Sequence, residues 1–179
     1  MTWRGSTTMQ DKILAALTYL IPILEALQFG GLVLALIFAV APPLALLFTP
    51  LFMLMSIYFL SIGGIAIVEF GVFLALYILV VQNPKLPHFL RFNAIQALLI
   101  SIFTYLCRLA LSVLGISQQL LDPLVGRVST GSAFSLGDIL PTALFIGVIG
   151  VSGYAIVQCF RGMYAEIPAI SEAAYNQVR

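Results

Sequence analysis

The stretch QNPKLPHFLRFNAIQAL, residues 82–98, decides how this chain is organised, because it is the most polar interruption in a sequence that is 61% hydrophobic. It joins two long apolar runs. Pro84 and Pro87 remove backbone donors and bias the preceding residues away from helical geometry, so one helix ends before them and another begins after them. Lys85 and Arg91 put positive charge at this junction. If the two runs cross a membrane, such charge marks the cytoplasmic side.

The composition shows that lipid is the solvent for much of this chain. The mean hydropathy is +1.10, and only 8% of the 179 residues are charged. Both values lie far outside the range of soluble domains. The long runs are apolar on every face, which excludes the alternating pattern of barrel strands. We therefore predict an all-α integral membrane protein. The formal net charge of +1 gives no indication of a nucleic-acid partner.

Apolar runs of suitable length predict four transmembrane helices within a single membrane domain. A helix needs about 17–25 apolar residues to cross the hydrocarbon core. The predicted spans are residues 13–29, 63–81, 92–114 and 139–160, and a polar tail, residues 161–179, follows the last of them.

Residues 32–62 are apolar but interrupted by proline. Pro42, Pro43 and Pro50 divide them into pieces of about 10, 6 and 12 residues, and each piece is too short to cross as a straight helix. We predict a proline-broken re-entrant or interfacial segment that returns to the side it left. A kinked additional crossing is the alternative.

The charge distribution orients these spans. With four crossings, both termini and the 82–91 loop share one face, which then carries six Lys and Arg residues against one on the other face. Five crossings would reduce this to four against three. Since positive charge collects on the cytoplasmic side, we predict that both termini are cytoplasmic, or stromal in a plastid.

Three charged residues fall inside the predicted spans, namely Glu25, Glu69 and Arg108. A charge in the membrane costs about 2.5–3.5 kcal/mol on insertion scales, so each needs a partner or a role. The topology places all three near the non-cytoplasmic face. One interpretation is a sealed Arg108–Glu69 ion pair between neighbouring helices. The other is a hydrated, polar vestibule lined by all three side chains.

The sequence indicates no catalytic residue, metal site or cofactor. Phosphate loops, nucleophile elbows and paired metal-ligand spacings are missing. His88 is the sole histidine, and no serine–lysine or aspartate pair lies in the spans. We expect that the protein is not an enzyme.

Three strings resemble a known family. NPKLPHFLRFNAIQALL (residues 83–99) resembles the RFN-x-x-QA segment of the twenty-kilodalton subunit family of the Tic translocon, the protein importer of the chloroplast inner envelope. RGMYAEIPAISEAAYNQVR (residues 161–179) resembles the family's carboxyl-terminal signature, and DKILAALTYLIPILEAL (residues 11–27) resembles its first helix. The resemblance extends over nearly the whole chain and looks closest to cyanobacterial members. It implies four transmembrane helices with both termini on the stromal or cytoplasmic side.

The resemblance also singles out a set of motif residues in the 83–99 string and the tail. Arg91, Asn93 and Gln96 lie close together at a helix start, where they are able to hydrogen-bond to the tail, with Glu166 and Glu172 as acidic partners. Such contacts either lock helix ends together or form a docking surface. The motif positions are Asn83, Pro84, Pro87, Arg91, Phe92, Asn93, Gln96, Ala97, Arg161, Gly162, Tyr164, Glu166, Pro168 and Glu172.

The resemblance implies a membrane subunit of a protein-translocation complex that forms or lines a polypeptide path. Its expected partners are membrane lipid, other membrane subunits and unfolded polypeptide. A non-conducting structural or assembly subunit of the photosynthetic membrane is one alternative, and a small-solute channel or transporter is another. The expected location is a cyanobacterial plasma or thylakoid membrane, or the plastid inner envelope if the protein is plastid-encoded.

Overall fold

A computed structural model describes residues 7–62, 65–113, 136–168 and 170–177. Apart from one pair of two-residue strands, the regular structure in these ranges is helical, so the architecture is that of an all-α membrane protein. The elements are α1 (Met9–Thr18), α2 (Leu20–Ala26), a 3₁₀ turn (Leu27–Phe29), α3 (Gly31–Val40), α4 (Pro43–Tyr58), β1 (Ser61–Ile62), β2 (Ile65–Ala66), α5 (Ile67–Leu76), a π-helical turn (Tyr77–Val81), α6 (His88–Val113), α7 (Leu136–Arg161) and α8 (Ile170–Gln177).

The first three elements follow one another along a single apolar span, Met9–Phe29. It begins with a capping box, in which the Thr8 hydroxyl accepts from the Asp11 amide and the Asp11 carboxylate accepts from the Thr8 amide. The helix is interrupted at Tyr19 because Pro22, three residues later, has no amide hydrogen to continue the bonding pattern. The interruption leaves Tyr19 fully buried.

The segment 32–62 forms two helices rather than the three predicted pieces. The break predicted at Pro42 is present, between α3 and α4, but the break predicted at Pro50 is wrong, since Pro50 lies inside α4. In an apolar environment, ending a helix would expose several backbone groups at once. Losing the single hydrogen bond that a proline removes is the smaller cost.

The helices α3 and α4 fold back on each other. The Phe38 ring lies 5.6 Å from that of Phe48 and 6.3 Å from that of Phe52, and nearer the open end Leu34 shares a buried cluster with Met55. The ten residues of α3 rise about 15 Å, half of the roughly 30 Å hydrocarbon core. This hairpin therefore begins and ends at the same level of the molecule.

Three of the four predicted spans correspond to helices long and apolar enough to cross a membrane: Met9–Phe29, His88–Val113 and Asp138–Arg161. The fourth, residues 63–81, contains a shorter helix, Ile67–Val81, which follows the antiparallel β1–β2 pair. Residues 63 and 64 lie outside the described residues. The number of crossings thus stays a prediction.

The helix α6 is the centre of the bundle. It packs against α1, α2, the π-helical turn and α8, and Phe92, Ala97 and Leu98 in its first half are almost completely buried. It begins at His88, four residues before the predicted span, because the carbonyl of Pro87 accepts the amides of its first turn. Two groups of buried polar side chains lie on this helix, one near each end.

Candidate functional site

The first group, here called the charged cluster, consists of Glu25, Glu69 and Arg108. Arg108 Nη2 lies 3.3 Å from both carboxylate oxygens of Glu69, which makes an ion pair between α6 and α5. Arg108 Nη1 donates to Gln28 Oε1 at 3.2 Å. The guanidinium thus joins α5, α6 and the end of the first helix.

Glu25 belongs to the same group but does not bond to Arg108. Its Oε1 accepts from the Tyr58 hydroxyl, at the end of α4, at 3.3 Å. Its Oε2 is buried and has no hydrogen-bond partner among the described residues. A buried carboxylate oxygen without a donor is costly. This oxygen is therefore the least satisfied polar atom of the cluster.

The charged cluster lines a small cleft. All three of its residues contribute to the walls, and the space between them does not admit a water molecule. The Arg108 guanidinium lies over the Tyr105 ring, 4.7 Å from its centroid, and 5.7 Å from that of Phe59, at distances typical of cation–π contacts. The cleft has two carboxylates and one guanidinium, so it suits positively charged or hydrogen-bonding groups. It has no room for a polypeptide segment in this conformation.

The second group, here called the amide cluster, consists of Tyr19, Asn93, Gln96 and Ser171. Gln96 Nε2 donates to the Ala165 carbonyl and to the Ser171 hydroxyl oxygen, both at 3.0 Å. Gln96 Oε1 lies 2.8 Å from the Tyr19 hydroxyl. The Gln96 side chain, fully buried, thereby uses both of its amide hydrogens and its carbonyl.

Asn93 completes the amide cluster one turn earlier on α6. Its Nδ2 donates to the Phe89 carbonyl at 2.7 Å, and its Oδ1 lies 3.0 Å from the Tyr19 hydroxyl and 3.2 Å from Cys159 Sγ. The single Tyr19 proton is shared between the Asn93 and Gln96 oxygens. The cluster therefore ties the first helix, α6, α7 and the tail together.

The segment between α7 and α8 is fixed by this cluster although residues 163–167 are not helical. The Ser171 hydroxyl accepts from the Ile167 amide at 2.7 Å and donates to the Ala165 carbonyl at 3.1 Å. These bonds, with the Gln96 contact, satisfy backbone groups that no helix satisfies. The result is a tail held against α6 by polar contacts.

Arg91 does not have the acidic partners expected of it. Its Nε donates to the Val81 carbonyl at 2.8 Å, and among the described residues no ion pair joins it to Glu166 or Glu172, both of which are exposed. The carbonyls at a helix end lack partners and carry partial negative charge. Arg91 is therefore drawn to the end of the π-helical turn, and the prediction of acidic partners is wrong.

The other motif residues form the surroundings of the amide cluster. Phe92 is fully buried, and its ring lies 4.5 Å from that of Tyr175 and 5.0 Å from that of Tyr164. The Asn83 side chain accepts from the Lys85 amide at 3.0 Å and thereby shapes the turn. Besides Glu166 and Glu172, the exposed motif residues are Pro84, Pro87, Arg161 and Pro168.

Gly162 terminates α7 in a conformation that other residues adopt with strain. Its φ is +72°, and a Cβ there would approach Lys12 Cε to 2.9 Å and Thr7 Oγ1 to 3.0 Å. Glycine is the usual residue at this position after a helix. It sends the chain back across the start of the first helix towards α6.

Sequence reasoning missed two members of the amide cluster, Tyr19 and Ser171, and two hydrogen-bond partners of the charged cluster, Gln28 and Tyr58. A signal was available for two of them, because Tyr19 and Gln28 are polar groups in an otherwise apolar first run, and such groups face the protein interior. Tyr58 and Ser171 depend on how the hairpin and the tail return to the bundle. Among the described residues, no group of three or more His, Cys, Asp or Glu side chains is arranged to hold a metal ion.

Comparison with known proteins gives consistent matches along the chain. The family described as "Chloroplast import apparatus Tic20-like" matches residues 8–174. A Tic20 family protein of Synechocystis sp. is 34% identical over 95% of this chain and 94% of the relative. Protein TIC 20-II, chloroplastic, of Arabidopsis thaliana is 28% identical over 99% of this chain and 78% of the relative. The Tic20 family protein Ycf60 of Gracilaria tenuistipitata is 30% identical over 96% of this chain and 76% of the relative. The matched range contains both polar clusters.

Proposed function

Because the chain belongs to the Tic20 family, we propose that it is a membrane subunit of a protein-translocation complex and lines part of a path for unfolded polypeptide. The observation that carries this proposal is the family match over residues 8–174, which covers the helical bundle rather than one shared motif. The family description names an import apparatus, and the proposal extends that role to this chain. The proposed role is not enzymatic.

The proposed arrangement in the membrane has four crossings, with both termini on the cytoplasmic or stromal side. The fold-back of α3 on α4 supports it, because a hairpin that begins and ends at one level adds no crossing. The charge count favours the same arrangement. The six positive residues assigned to the cytoplasmic face are Arg4, Lys12, Lys85, Arg91, Arg161 and Arg179, against Arg127 on the other.

In this arrangement the amide cluster lies near the cytoplasmic face and the charged cluster near the opposite face. We assign the structural role to the amide cluster, since its side chains are buried and bonded to one another. The charged cluster is assigned to the path, since it lines a cleft and includes a carboxylate oxygen without a partner. The cleft does not admit even a water molecule in this conformation, so the path requires movement or further membrane subunits.

A non-conducting structural or assembly subunit of the photosynthetic membrane is the second candidate. The observation that favours it is the Arg108–Glu69 ion pair, which closes the cleft on the α5 side. Under this alternative the charged cluster only stabilises the bundle. The two candidate functions imply different cellular locations. We expect a plasma membrane or plastid envelope for a translocation subunit and a thylakoid membrane for an assembly subunit.

Affinity purification of the tagged full-length protein in mild detergent, with mass spectrometry of the co-eluting chains, tests the proposal. The same tag on an unrelated multispanning protein of the same membrane is the control. Recovery of precursor polypeptides together with other membrane subunits is the expected result. Recovery of photosynthetic complexes or their assembly factors alone would favour the structural role and reject translocation.

A further inference from the structure

The helix α5 is attached to α6 by apolar packing in its second half and in the π-helical turn, and by a single polar contact at its beginning. At the π-helical end, Val81 is buried against Phe92 and its neighbours, and its carbonyl accepts from Arg91. At the other end, the attachment is the Glu69–Arg108 ion pair. Within α5 itself, Ile67–Leu76, Glu69 is the only fully buried side chain, and Phe73 and Leu76 are partly buried against the cluster around Phe92. The half of this helix around Glu69 thus has the least packing to hold it in place.

The ion pair at the outer attachment is weak in its geometry. One nitrogen of Arg108 reaches both oxygens of Glu69 at 3.3 Å, whereas charge-assisted N–H···O bonds are typically about 2.7–2.9 Å. A forked contact that uses two nitrogens is absent from this pair. The interaction therefore holds α5 less firmly than an optimal pair would.

Each partner also has other stabilising contacts if the pair separates. Glu69 lies in the first turn of α5, where the helix amides and dipole favour negative charge. Arg108 keeps its hydrogen bond to Gln28 and its contact with the Tyr105 ring. Breaking a buried pair is costly mainly because a charge is left unpaired, and here neither charge is left without favourable contacts.

The π-helical turn supplies a natural point of bending. The Gln82 amide donates to the Tyr77 carbonyl, five residues earlier, at 3.0 Å. Turns of this kind interrupt regular α-helical bonding, and helices kink at them. In this chain the turn ends at the buried Val81, and the least packed part of α5 is the opposite end of the helix, around Glu69.

We propose that α5 is a hinged gate helix: it pivots at the turn Tyr77–Val81 and is held closed against α6 by the Glu69–Arg108 ion pair. Opening moves the Glu69 end away from α6. The cleft wall formed by Thr104, which is buried in this structure, then becomes accessible from the side of the bundle. The motion follows from the attachments of α5 alone, so it does not depend on what passes through the protein.

Distance measurements between spin labels on the full-length protein in lipid nanodiscs test this gate. One label pair replaces the exposed residues Phe70 and Leu109, which neighbour Glu69 and Arg108. A second pair replaces Leu79 and Met163, also exposed, and reports on the hinge end. The background carries Cys107→Ala, and the buried Cys159 is retained after a check that it does not label.

The informative variant is Glu69→Ala with Arg108→Ala, which removes both charges together and leaves no unpaired charge to disrupt folding. The expected result is a broader distribution, shifted to longer distances, for the Phe70–Leu109 pair, with the Leu79–Met163 pair unchanged. Arg108→Lys is the matched control. It preserves charge and reach, so its distribution is expected to stay close to that of the parent.

Three results would overturn the gate. An alanine variant with the parental Phe70–Leu109 distribution would show that the ion pair does not hold α5 closed. Equal broadening of both label pairs would show general loosening rather than motion about the π-helical turn. If Arg108→Lys broadens as much as the alanine variant, charge is not what closes the helix, and the proposal also fails.

Discussion

The two polar clusters lie on the same helix, yet their bonding differs. In the amide cluster, the three hydrogen bonds of the Gln96 side chain measure 2.8–3.0 Å and use every polar group it has. In the charged cluster, the contacts of Arg108 measure 3.2–3.3 Å, and Glu25 Oε2 has no partner among the described residues. Near one end of α6 the buried polar groups have their hydrogen-bond partners. Near the other end, at least one buried polar group has no such partner among the described residues.

The difference shows where rigidity and movement are expected in this bundle. Neutral amides are far less costly to bury than charges, and a satisfied network fixes the elements that contribute to it. The amide cluster joins the first helix, α6 and the tail in this way. A charged group with long bonds and an open cleft imposes no comparable constraint. Function that needs motion is therefore assigned to the charged cluster.

The largest expected effect comes from Gln96→Leu. It removes the hydrogen bonds that connect α6 to the tail and to the first helix, and we expect a loss of about 2–3 kcal/mol in the free energy of unfolding, since each buried group left unsatisfied costs about 1–3 kcal/mol. Trypsin cleavage after the exposed Arg161 is expected to accelerate as the tail detaches. Thermal unfolding in detergent measures the first effect, and gel analysis of the digest measures the second.

The matched control for Gln96→Leu is Tyr19→Phe, which removes one hydroxyl and leaves the tail contacts intact. Its expected cost is about 1 kcal/mol, without faster cleavage at Arg161. Equal effects of the two variants would mean that Gln96 has no special role in holding the tail.

Gly162→Ala is expected to cost somewhat less, about 1–2 kcal/mol, which is the penalty of the left-handed conformation for a residue with a Cβ. The close approach to Lys12 adds to it. Gly150→Ala is the matched control, because a Cβ at Gly150 meets nothing within 4 Å and alanine is the better helix former. Gly150→Ala should leave the melting temperature unchanged or raise it. A loss at Gly150 as large as at Gly162 would contradict this comparison.

Glu69→Gln is expected to cost about 1 kcal/mol or less, because the amide oxygen can still accept from Arg108. Thermal unfolding of this variant and of Gln96→Leu under the same conditions compares the two losses in the free energy of unfolding. If the loss equals or exceeds that of Gln96→Leu, the charged cluster is as firm as the amide cluster, and the contrast between them is wrong.

The smallest effect is expected from Glu25→Gln, within about 0.5 kcal/mol of the parent or slightly stabilising. The amide oxygen keeps the contact with the Tyr58 hydroxyl, and the buried oxygen without a partner among the described residues is replaced by an amide nitrogen. Tyr58→Phe in the same assay should cost more, since it removes the hydroxyl that donates to Glu25. A clear loss for Glu25→Gln would indicate that its charge is needed for folding.

The sequence predicts which segments are helical and how deep a residue lies in the membrane better than it predicts contacts between side chains. Hydropathy identified the long apolar helices, and counting residues along antiparallel helices put Glu69 and Arg108 at one level, where they lie 3.3 Å apart. The break at Pro50 was wrong because a proline that ends a helix in water is tolerated in an apolar environment.

Contacts that depend on the folded backbone were less accessible. The acidic tail residues looked like partners for Arg91, but the free carbonyls at the end of the π-helical turn lie closer to it. The π-helical turn itself has no recognisable sequence signal, because the run around Tyr77 is apolar throughout. Likewise, Tyr58 reaches Glu25 only because α3 and α4 fold back.

Site-specific photo-crosslinking in cells tests most directly whether the charged cluster lines a polypeptide path. Benzoylphenylalanine replaces Tyr105, which lines the cleft, or Tyr154, on the exposed face of α7. The two side chains are equally exposed, at 44% and 45%, so a difference in crosslinking does not arise from exposure. Light-dependent adducts with a polypeptide arrested in transit are expected at Tyr105 and not at Tyr154. Adducts at neither position, or at both equally, would contradict the assignment of the path to the charged cluster.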